Sequence, residues 1–209
     1  LAAHSSVPLC LDDPKGAVKN NLFNMMQLSQ QCNPEQKIIY ASSTSVYGAS
    51  GEMRREHEES LTPCNYYDVS KLLWDQYVRN LVKFRRNIVG LRFGTICGVS
   101  PNTRRDLFLN SMTSDGLESG QHWVNNLDSQ RSVLTVQDAS RAILDVVRAK
   151  QFVPGIYNVK SFDTCMKVAS HFISAKCGSK EIVLPDTPGS YSFTVDGSLF
   201  ENTYHWTPR

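Results

Sequence analysis

The sequence predicts an α/β fold built around a doubly wound parallel sheet. Short apolar runs alternate along the chain with segments of helical periodicity. The apolar runs are continuous, which is typical of strands buried on both faces of a parallel sheet. The chain has 209 residues, is 41% hydrophobic and shows no internal repeat or low-complexity linker, so it can bury one core.

The first half of the chain gives four elements. Pro14 is expected at the start of a helix that ends near residues 32–34. Residues 37–41 form a short apolar run that suits a buried strand. Residues 48–60 are predicted to be a polar loop, and Pro63 is expected to open a long helix after it.

The second half continues the alternation. Residues 88–93 are predicted to form the next strand, and residues 155–159 a further one. Asp138 is expected to cap a helix between these two strands. The apolar residues of that helix form one stripe: Ala142, Ile143, Val146 and Val147. A last helix is predicted over residues 164–176.

Charge and cysteine usage argue against several classes of function. A net charge of +2 is too small to indicate nucleic acid as a partner. No apolar run approaches the ~20 residues that a membrane span needs. The cysteines and histidines are scattered without the spacing of metal ligands, so we expect no metal site. Free thiols are the simplest interpretation of the cysteines and favour a cytoplasmic location.

Tyr67 and Lys71 form a Tyr-x-x-x-Lys pair within the long predicted helix. Positions i and i+4 share one helix face, so both side chains point the same way. A free tyrosine titrates at about 10, but a cation held close lowers that pKa and allows the phenol to act as a general base. Such a pair alone fits an ordinary amphipathic helix equally well. The Ser-rich segment 41–48, which ends a predicted strand and contains Ser43, favours a catalytic site.

Together with Ser43, this pair resembles the catalytic set of the short-chain dehydrogenase/reductase superfamily. The closest likeness is to its extended branch of NAD-dependent nucleotide-sugar epimerases and dehydratases, which includes UDP-glucose 4-epimerase. Residues 1–8 resemble the end of that branch's fourth strand, and residues 91–98 resemble the strand and loop after its catalytic helix. Residues 21–24 resemble its Asn-x-x-Gly helix and residues 131–138 its Arg-Pro-aromatic-x-His-Val-x-Asp segment. The Gly, Pro and His of those patterns are replaced here.

The resemblance implies a role for each of several residues. Catalysis would fall to Ser43, Tyr67 and Lys71. NAD would be held by the last two, together with residues nearer the N-terminus: Ala2, Ala3 and Asn21. The nucleotide-sugar would contact Ser43, Thr44, Arg104, Asn110 and Arg131.

The substrate contacts have competing interpretations. The Arg131 guanidinium matches a diphosphate bidentately, but a surface salt bridge would explain the same residue. Arg104 is a weaker candidate for the same task. Asn110 suits either a hydrogen bond to the ligand or an ordinary position on a helix surface.

No Gly-rich turn of the kind that holds a dinucleotide pyrophosphate occurs in the sequence. We therefore interpret the chain as a fragment that lacks the first three strand–helix units, the alternative being a degenerate relative that abandoned the cofactor. Residues 1–160 would be a partial NAD-binding domain and residues 161–209 a substrate-binding region, to which residues 100–130 contribute. By itself, such a fragment is expected to bind NAD weakly and to be inactive.

The residues after Ser43 help to choose a reaction. Sugar-nucleotide dehydratases place an Asp and a Glu there, and related decarboxylases place one acid, whereas this chain has Thr44 and Ser45. Neither hydroxyl has acid–base power near neutral pH. The sequence therefore favours an epimerase that works through a transient 4-keto sugar. A reductase or dehydrogenase and a non-catalytic scaffold remain alternatives.

The family often dimerises through the helix that carries the tyrosine. Five residues could form such an interface of a homodimer: Met25, Met26, Trp74, Tyr77 and Leu81. Burial in the core of the domain would explain the same residues.

Overall fold

The computed structural model describes residues 3–49, 51–58, 61–83 and 86–209. Its helices are α1 (Val7–Asp12), α2 (Pro14–Val18), α3 (Asn24–Gln31), α4 (Tyr66–Lys83), α5 (Phe108–Ser119), α6 (Val136–Arg148), α7 (Met166–Cys177) and α8 (Ser198–Tyr204). Its strands are β1 (Ile38–Ser43), β2 (Met53–Arg54), β3 (Ile88–Phe93), β4 (Thr95–Cys97), β5 (Gln121–Val124), β6 (Gln130–Thr135), β7 (Gly155–Val159), β8 (Phe162–Cys165), β9 (Lys180–Val183) and β10 (Thr194–Val195).

A parallel sheet of β1, β3 and β7, in that order, forms the centre of the molecule. All six residues of the middle strand β3 are buried, as expected for a strand that is covered on both faces. Trp74 and Val78 of α4 pack on one face, and Ala142 and Val146 of α6 pack on the other. The prediction of a doubly wound parallel sheet is confirmed.

Close packing on the α4 face explains a glycine in the middle of the central strand. The rings of Tyr40 and Trp74 meet edge to face, with centroids 5.7 Å apart. A Cβ atom on Gly90 would lie 2.4 Å from the Tyr40 ring, so a larger residue in β3 would displace that ring. Glycine therefore allows the side chain of β1 to cross its neighbouring strand.

Shorter strands form a second region around the sheet. Strands β4, β6 and β8 make one small sheet, β5 pairs with β9, and β2 pairs with β10. Helices α5 and α7 pack around a core of their own: Met112, Val124, Met166 and Ile173. The segments 100–130 and 161–209 interlock through these pairs, so the two halves of this region depend on each other. The assignment of substrate binding to them stays a prediction.

Several predicted boundaries move for local reasons. Helix α4 begins at Tyr66 rather than Pro63, because the Asn65 side chain accepts the Asp68 N–H at 3.1 Å and takes the capping position. The predicted helix over 164–176 begins later, at Met166, because residues 162–165 pair with β6.

The sequence predicted that Asp138 caps its helix, but it does not. Thr135 holds that position, and its Oγ1 atom accepts the N–H of Asp138 at 3.1 Å. Asp138 is instead an inner residue of the first turn. Its carboxylate pairs with Arg141 at 2.7 Å and accepts the Ser161 hydroxyl at 2.7 Å.

The N-terminal part is more helical than the sequence suggested. None of residues 3–8 forms a strand, and α1 begins at Val7, where the Ser6 side chain caps it. Helices α2 and α3 run on through a π-helical turn, Lys19–Phe23, which fits the helix predicted from Pro14 onward. The predicted loop 48–60 contains the short strand β2, which needs its distant partner β10 to form.

The residues considered for a dimer interface mostly serve the core. Trp74 is buried and stacks on Tyr77 with centroids 5.4 Å apart. Met25, Met26 and Leu81 pack partly buried against the same cluster. A homodimer through these helices stays a prediction. Among the residues described, no helix is long and apolar enough to span a membrane.

Candidate active site

The candidate site lies at the carboxyl end of β1, the edge of a parallel sheet at which ligands bind in doubly wound folds. Ser43 ends this strand, and its Oγ atom accepts the Ser45 N–H at 3.2 Å, which starts a short 3₁₀ turn, Thr44–Tyr47. Gly48 ends the turn with a φ of 71°, and a Cβ there would lie 1.9 Å from the Thr62 carbonyl oxygen. The turn therefore aims the Ser43 hydroxyl toward α4.

Helix α4 brings Tyr67 and Lys71 to the same place. The phenol of Tyr67 interacts with the Ser43 hydroxyl. The Lys71 ammonium donates a hydrogen bond to the Ala41 carbonyl oxygen at 3.0 Å and lies 5.7 Å from the centroid of the Tyr67 ring. The three residues predicted to be catalytic are thus neighbours in space.

The electrostatics differ from the sequence-based expectation. Burial raises the pKa of Tyr67, the contact with Ser43 lowers it, and the charge of Asp68 raises it further. Burial also lowers the pKa of Lys71, against the opposing pull of the Asp75 carboxylate. In this structure the phenol of Tyr67 is therefore the favoured form at neutral pH.

Asn21 ties the N-terminal segment to α4. It is buried in the π-helical turn, and its side chain accepts the His4 N–H at 2.8 Å and donates to the His4 carbonyl at 3.0 Å. The same amide donates to the Ser70 hydroxyl at 2.9 Å, next to Lys71. Ala3 adjoins this arrangement, whereas Ala2 lies outside the described residues.

The surroundings of Lys71 suit a dinucleotide cofactor. Lys71 is 9% exposed, and its ammonium has three N–H donors, one of which is used on Ala41. Within the described chain, no carboxylate pairs with it directly. The remaining donors could therefore hold the hydroxyls of a nicotinamide ribose.

Two of the predicted substrate contacts form one braced loop. The Arg104 guanidinium donates to the Ser5 carbonyl at 2.9 Å and pairs with Asp106, and its charge lowers the pKa of Tyr67. Asn110 accepts the Gly98 N–H at 3.0 Å and donates to the Arg104 carbonyl at 3.0 Å. The loop thus holds Arg104 near the site, while the Asn110 amide serves the loop itself. Thr44, the third of these predicted contacts, is buried in the turn after β1.

Arg131 lies close to Ser190 and Tyr191. Its guanidinium donates to the Ser190 hydroxyl at 3.1 Å and to the Gln130 carbonyl at 2.9 Å. Burial lowers its pKa, and no acidic side chain within the described ranges forms a salt bridge with it. The predicted alternative of a surface salt bridge thus has no partner for this residue within the described ranges, and an anion could take the place of a carboxylate.

Sequence reasoning missed Asp68 and Tyr191. The Asp68 carboxylate is buried directly after Tyr67 and accepts the Tyr191 hydroxyl at 2.5 Å. The pattern Asn65-x-x-Asp68 is a capping signal that could have drawn attention to Asp68. No local pattern could have paired Asp68 with Tyr191, which is 123 residues away.

No group of His, Cys, Asp and Glu side chains in the part of the chain that the structure describes is arranged to hold a metal ion. The six cysteines are free thiols. The side chains of the site offer hydroxyl, phenol, ammonium and carboxylate groups.

A Rossmann-like sheet with Ser43, Tyr67 and Lys71 at its carboxyl edge defines a short-chain dehydrogenase/reductase type of site. The model of the NAD dependent epimerase/dehydratase family matches residues 1–159. The chain belongs to this family.

Named relatives agree with this assignment. The chain is 31% identical over 158 residues to ADP-L-glycero-D-manno-heptose-6-epimerase of Thiobacillus denitrificans. This match covers 70% of this chain and 47% of the relative. It is 28% identical over 153 residues to UDP-glucuronate 4-epimerase 1 of Arabidopsis thaliana, covering 69% of this chain and 35% of the relative. The chain thus spans between a third and a half of these curated relatives.

A solved structure supports the fold. The UDP-glucuronic acid 4-epimerase of Bacillus cereus, in complex with UDP-glucuronic acid and NAD, superposes with a TM-score of 0.83. The match covers 100% of this chain and 69% of the Bacillus cereus chain, and the two sequences are 24% identical. The family is NAD-dependent, and this complex shows NAD bound to a protein of the same fold.

Proposed function

We propose that this chain carries the catalytic residues of an NAD-dependent nucleotide-sugar epimerase that works through a transient 4-keto sugar. The observation that carries the proposal is the convergence of Ser43, Tyr67 and Lys71 at the carboxyl edge of the sheet. Thr44 and Ser45 stand where dehydration would require acids, which favours epimerisation within the family.

The residues of the chain would divide the work between them. Ser43 donates a hydrogen bond to the reacting oxygen of the sugar, and Tyr67, in its ionised form, receives the proton of that hydroxyl at its phenolate oxygen. Lys71 holds the ribose of the cofactor and keeps the ring beside Tyr67. NAD, when bound, supplies a hydride acceptor and later returns the hydride. Asn21 keeps the N-terminal segment against α4, so the wall of the cofactor site stays in place.

The nucleotide diphosphate would lie against Arg131, because that guanidinium is half-buried and has hydroxyl and carbonyl partners rather than a carboxylate. Arg104 would add positive charge on the side of Tyr67. Residues 1–160 would form the NAD-binding part, and residues 100–130 and 161–209 would surround the substrate.

A nucleotide-sugar reductase or dehydrogenase is the second candidate, because it needs the same three residues. The two reactions differ in their use of the cofactor: an epimerase returns the hydride, whereas a dehydrogenase releases a reduced nicotinamide for every turnover. A non-catalytic scaffold is disfavoured by the intact arrangement of Tyr67 and Lys71.

Product analysis of an active enzyme that carries this chain tests the proposal. UDP-glucose and UDP-glucuronic acid are incubated with catalytic and with stoichiometric NAD. We expect a mixture of C4 epimers at both cofactor levels, without accumulation of reduced nicotinamide. Product formation that follows the NAD supply in a one-to-one ratio would favour the dehydrogenase. An absence of any sugar product, in a protein shown to bind both ligands, would favour the scaffold.

A further inference from the structure

The β9–β10 connection, residues 184–193, forms neither a helix nor a strand. Its residues 184–189 are exposed, so packing against the core does not hold this part in place. The next two residues, Ser190 and Tyr191, are partly buried. The hydrogen bonds of the β9–β10 connection therefore determine where these two side chains lie.

The first part of the β9–β10 connection is fixed to the loop after β5. The Asn126 side chain accepts the Thr187 N–H at 3.1 Å and donates to the Thr187 carbonyl at 3.0 Å. The N–H of Asn126 donates to the Asp186 carboxylate at 2.7 Å, and the Asn125 amide donates to the Thr187 hydroxyl at 2.9 Å. Asn126 has a φ of 49°, a left-handed conformation in which asparagine is enriched. One asparagine thus binds two consecutive residues of the connection.

The end of the β9–β10 connection is fixed to β6. The Ser192 hydroxyl accepts the Gln130 N–H at 3.1 Å, and the Phe193 N–H donates to the Gln130 carbonyl at 3.1 Å. The buried Phe193 ring meets the Tyr47 ring and the Tyr191 ring edge to face, with centroids 6.2 Å apart in each pair. Tyr191 therefore lies on a backbone that is anchored before and after it.

Ser190 and Tyr191 contact two separate parts of the candidate site. The Tyr191 hydroxyl donates to Oδ2 of Asp68 at 2.5 Å and accepts an N–H of the Asn65 amide. Burial and the hydrogen bond to Asp68 raise the pKa of Tyr191, so its hydroxyl keeps its proton and remains a donor. The Ser190 hydroxyl accepts the Arg131 guanidinium at 3.1 Å. Two consecutive residues thus connect the start of α4 with the residue proposed to hold the diphosphate.

We propose that Tyr191 is a positioning residue that fixes Arg131 relative to Tyr67. It acts through Asp68, which directly follows Tyr67 in the first turn of α4, and it does not touch the substrate. The proposal rests on the epimerase function given above, in which Arg131 holds the diphosphate and Tyr67 exchanges a proton with the sugar of the same molecule.

The spacing between these two residues matters because one substrate molecule contacts both of them. Proton transfer requires heavy atoms within about 2.6–3.2 Å of each other, and a misplacement of 1 Å can slow a reaction about 10²-fold. A hydrogen bond to an ionised carboxylate is shorter and stronger than one between neutral groups. The bond from Tyr191 to Asp68 can therefore control kcat while it contributes little to substrate affinity.

Tyr191→Phe tests the proposal in an active enzyme that carries this chain, because it removes the hydroxyl but keeps the ring beside Phe193. With UDP-glucose and UDP-glucuronic acid as substrates, we expect kcat per NAD-binding site to fall about tenfold, part of the loss that a 1 Å misplacement can cause. KM should change little because Arg131 remains available, and NAD affinity should stay the same. Calorimetric titration with NAD counts the intact sites, so unfolded protein does not count as a loss of kcat.

Asn126→Gly releases the first part of the β9–β10 connection and carries the test if Tyr191→Phe fails to fold. Glycine adopts the left-handed φ of this position without strain, so the change removes only the side-chain bonds to Thr187. We expect a smaller loss of kcat per site. The loss in the double variant should be less than the product of the two single losses, because both changes free the same segment.

Tyr204→Phe is the matched control. It removes the hydroxyl of another tyrosine close to the C-terminus, one that donates to the Val153 carbonyl at 2.9 Å and belongs to the core around α8. This variant should keep the kcat of the parent.

Three results would overturn the positioning role. The first is a parent-like kcat per site in Tyr191→Phe, or in Asn126→Gly if the former does not fold. The second is an equal loss in Tyr204→Phe, which would indicate a general effect of losing a tyrosine hydroxyl. The third is a double variant whose losses multiply, since the two residues would then act independently. A parent enzyme that does not interconvert C4 epimers would instead overturn the proposed function, so the two failures can be told apart.

Discussion

Helix α4 carries two buried aspartates, Asp68 and Asp75, whose surroundings differ. Both carboxylates are fully buried, and each accepts a tyrosine hydroxyl, from Tyr191 at 2.5 Å and from Tyr40 at 2.8 Å respectively. Asp75 also forms a salt bridge with the fully buried Arg92 at 2.7 Å, whereas Asp68 has no cation in the described ranges. The same residue type on the same helix is therefore charge-compensated in one place and not in the other.

The difference separates a structural site from a chemical one. Arg92 also donates to the Tyr47 hydroxyl at 2.8 Å. Burial lowers the pKa of Arg92, but the charge of Asp75 raises it and prevails, so Arg92 stays charged. Breaking such a pair should destabilise the fold. The groups around Tyr67 have unused hydrogen-bonding capacity and shifted pKa values, which is typical of sites that bind and react. Lys71 lies between Asp68 and Asp75 along α4. Burial lowers its pKa, and the charge of Asp75 opposes this effect.

Tyr67→Phe should have the largest effect on activity. It removes the proton-accepting oxygen but preserves the ring, so kcat of an active enzyme should fall by about 10²–10⁴, with little change in the free energy of unfolding. Steady-state kinetics and urea unfolding measure the two quantities. The neighbouring Tyr66, which is half exposed, gives the control: Tyr66→Phe should keep parent activity. Near-parent turnover in Tyr67→Phe would remove this residue from the mechanism.

Arg92→Met should have the opposite profile, with stability as the main loss. It leaves the Asp75 charge buried without its partner, which should lower the free energy of unfolding by about 3–5 kcal/mol. Urea titration followed by circular dichroism checks this. The exposed pair of Arg105 with Glu118 is the matched control, and Arg105→Met should cost at most about 1 kcal/mol. Equal losses in the two variants would show that the buried pair of Arg92 and Asp75 contributes no more to the free energy of unfolding than an exposed pair.

Arg131→Ala tests the binding side of the comparison. A charged hydrogen bond to the diphosphate should contribute about 1.5–3 kcal/mol, so nucleotide-sugar affinity should fall by that amount while NAD affinity stays the same. Calorimetry of an active enzyme with each ligand separates the two. If both ligands lose affinity equally, Arg131 supports the fold rather than the substrate.

Thr135→Ala should have the smallest effect, near the third buried aspartate, Asp138. Loss of the side-chain cap of α6 should cost about 1 kcal/mol of stability. Thermal unfolding of this variant is compared with that of Ser140→Ala, which changes an exposed hydroxyl of the same helix. A Thr135→Ala protein as stable as this control would show that Asp138 and its pairing with Arg141 suffice to start the helix.

Much of the central fold could be predicted because its signals are local. The strand over residues 88–93 is predominantly apolar, so its hydrophobic pattern was enough to predict it. Tyr67 and Lys71 stand one helical turn apart, so their spacing was enough to predict that they share a helix face. The helix start at Tyr66 was missed because Pro63 gave a stronger local signal than the Asn65 cap. Strand β2 was missed because its two residues form a strand only through pairing with β10.

The chemistry around Tyr67 was harder to predict. Its raised pKa depends on how deeply the fold buries the phenol, which is not encoded in spacing. The bond between Asp68 and Tyr191 joins α4 to a segment near the C-terminus that carries no periodic pattern. Both features arise only when distant parts of the chain meet.

Deuterium labelling tests the central claim most directly. UDP-glucose and UDP-glucuronic acid that carry deuterium at C4 are incubated with an active enzyme that contains this chain, and the products are examined by mass spectrometry and NMR. Epimerisation at the Ser43–Tyr67–Lys71 site predicts a C4 epimer that retains its deuterium, because the same hydride is returned to the sugar. Loss of the deuterium to a released reduced nicotinamide, with a keto-sugar as the product, would contradict the account.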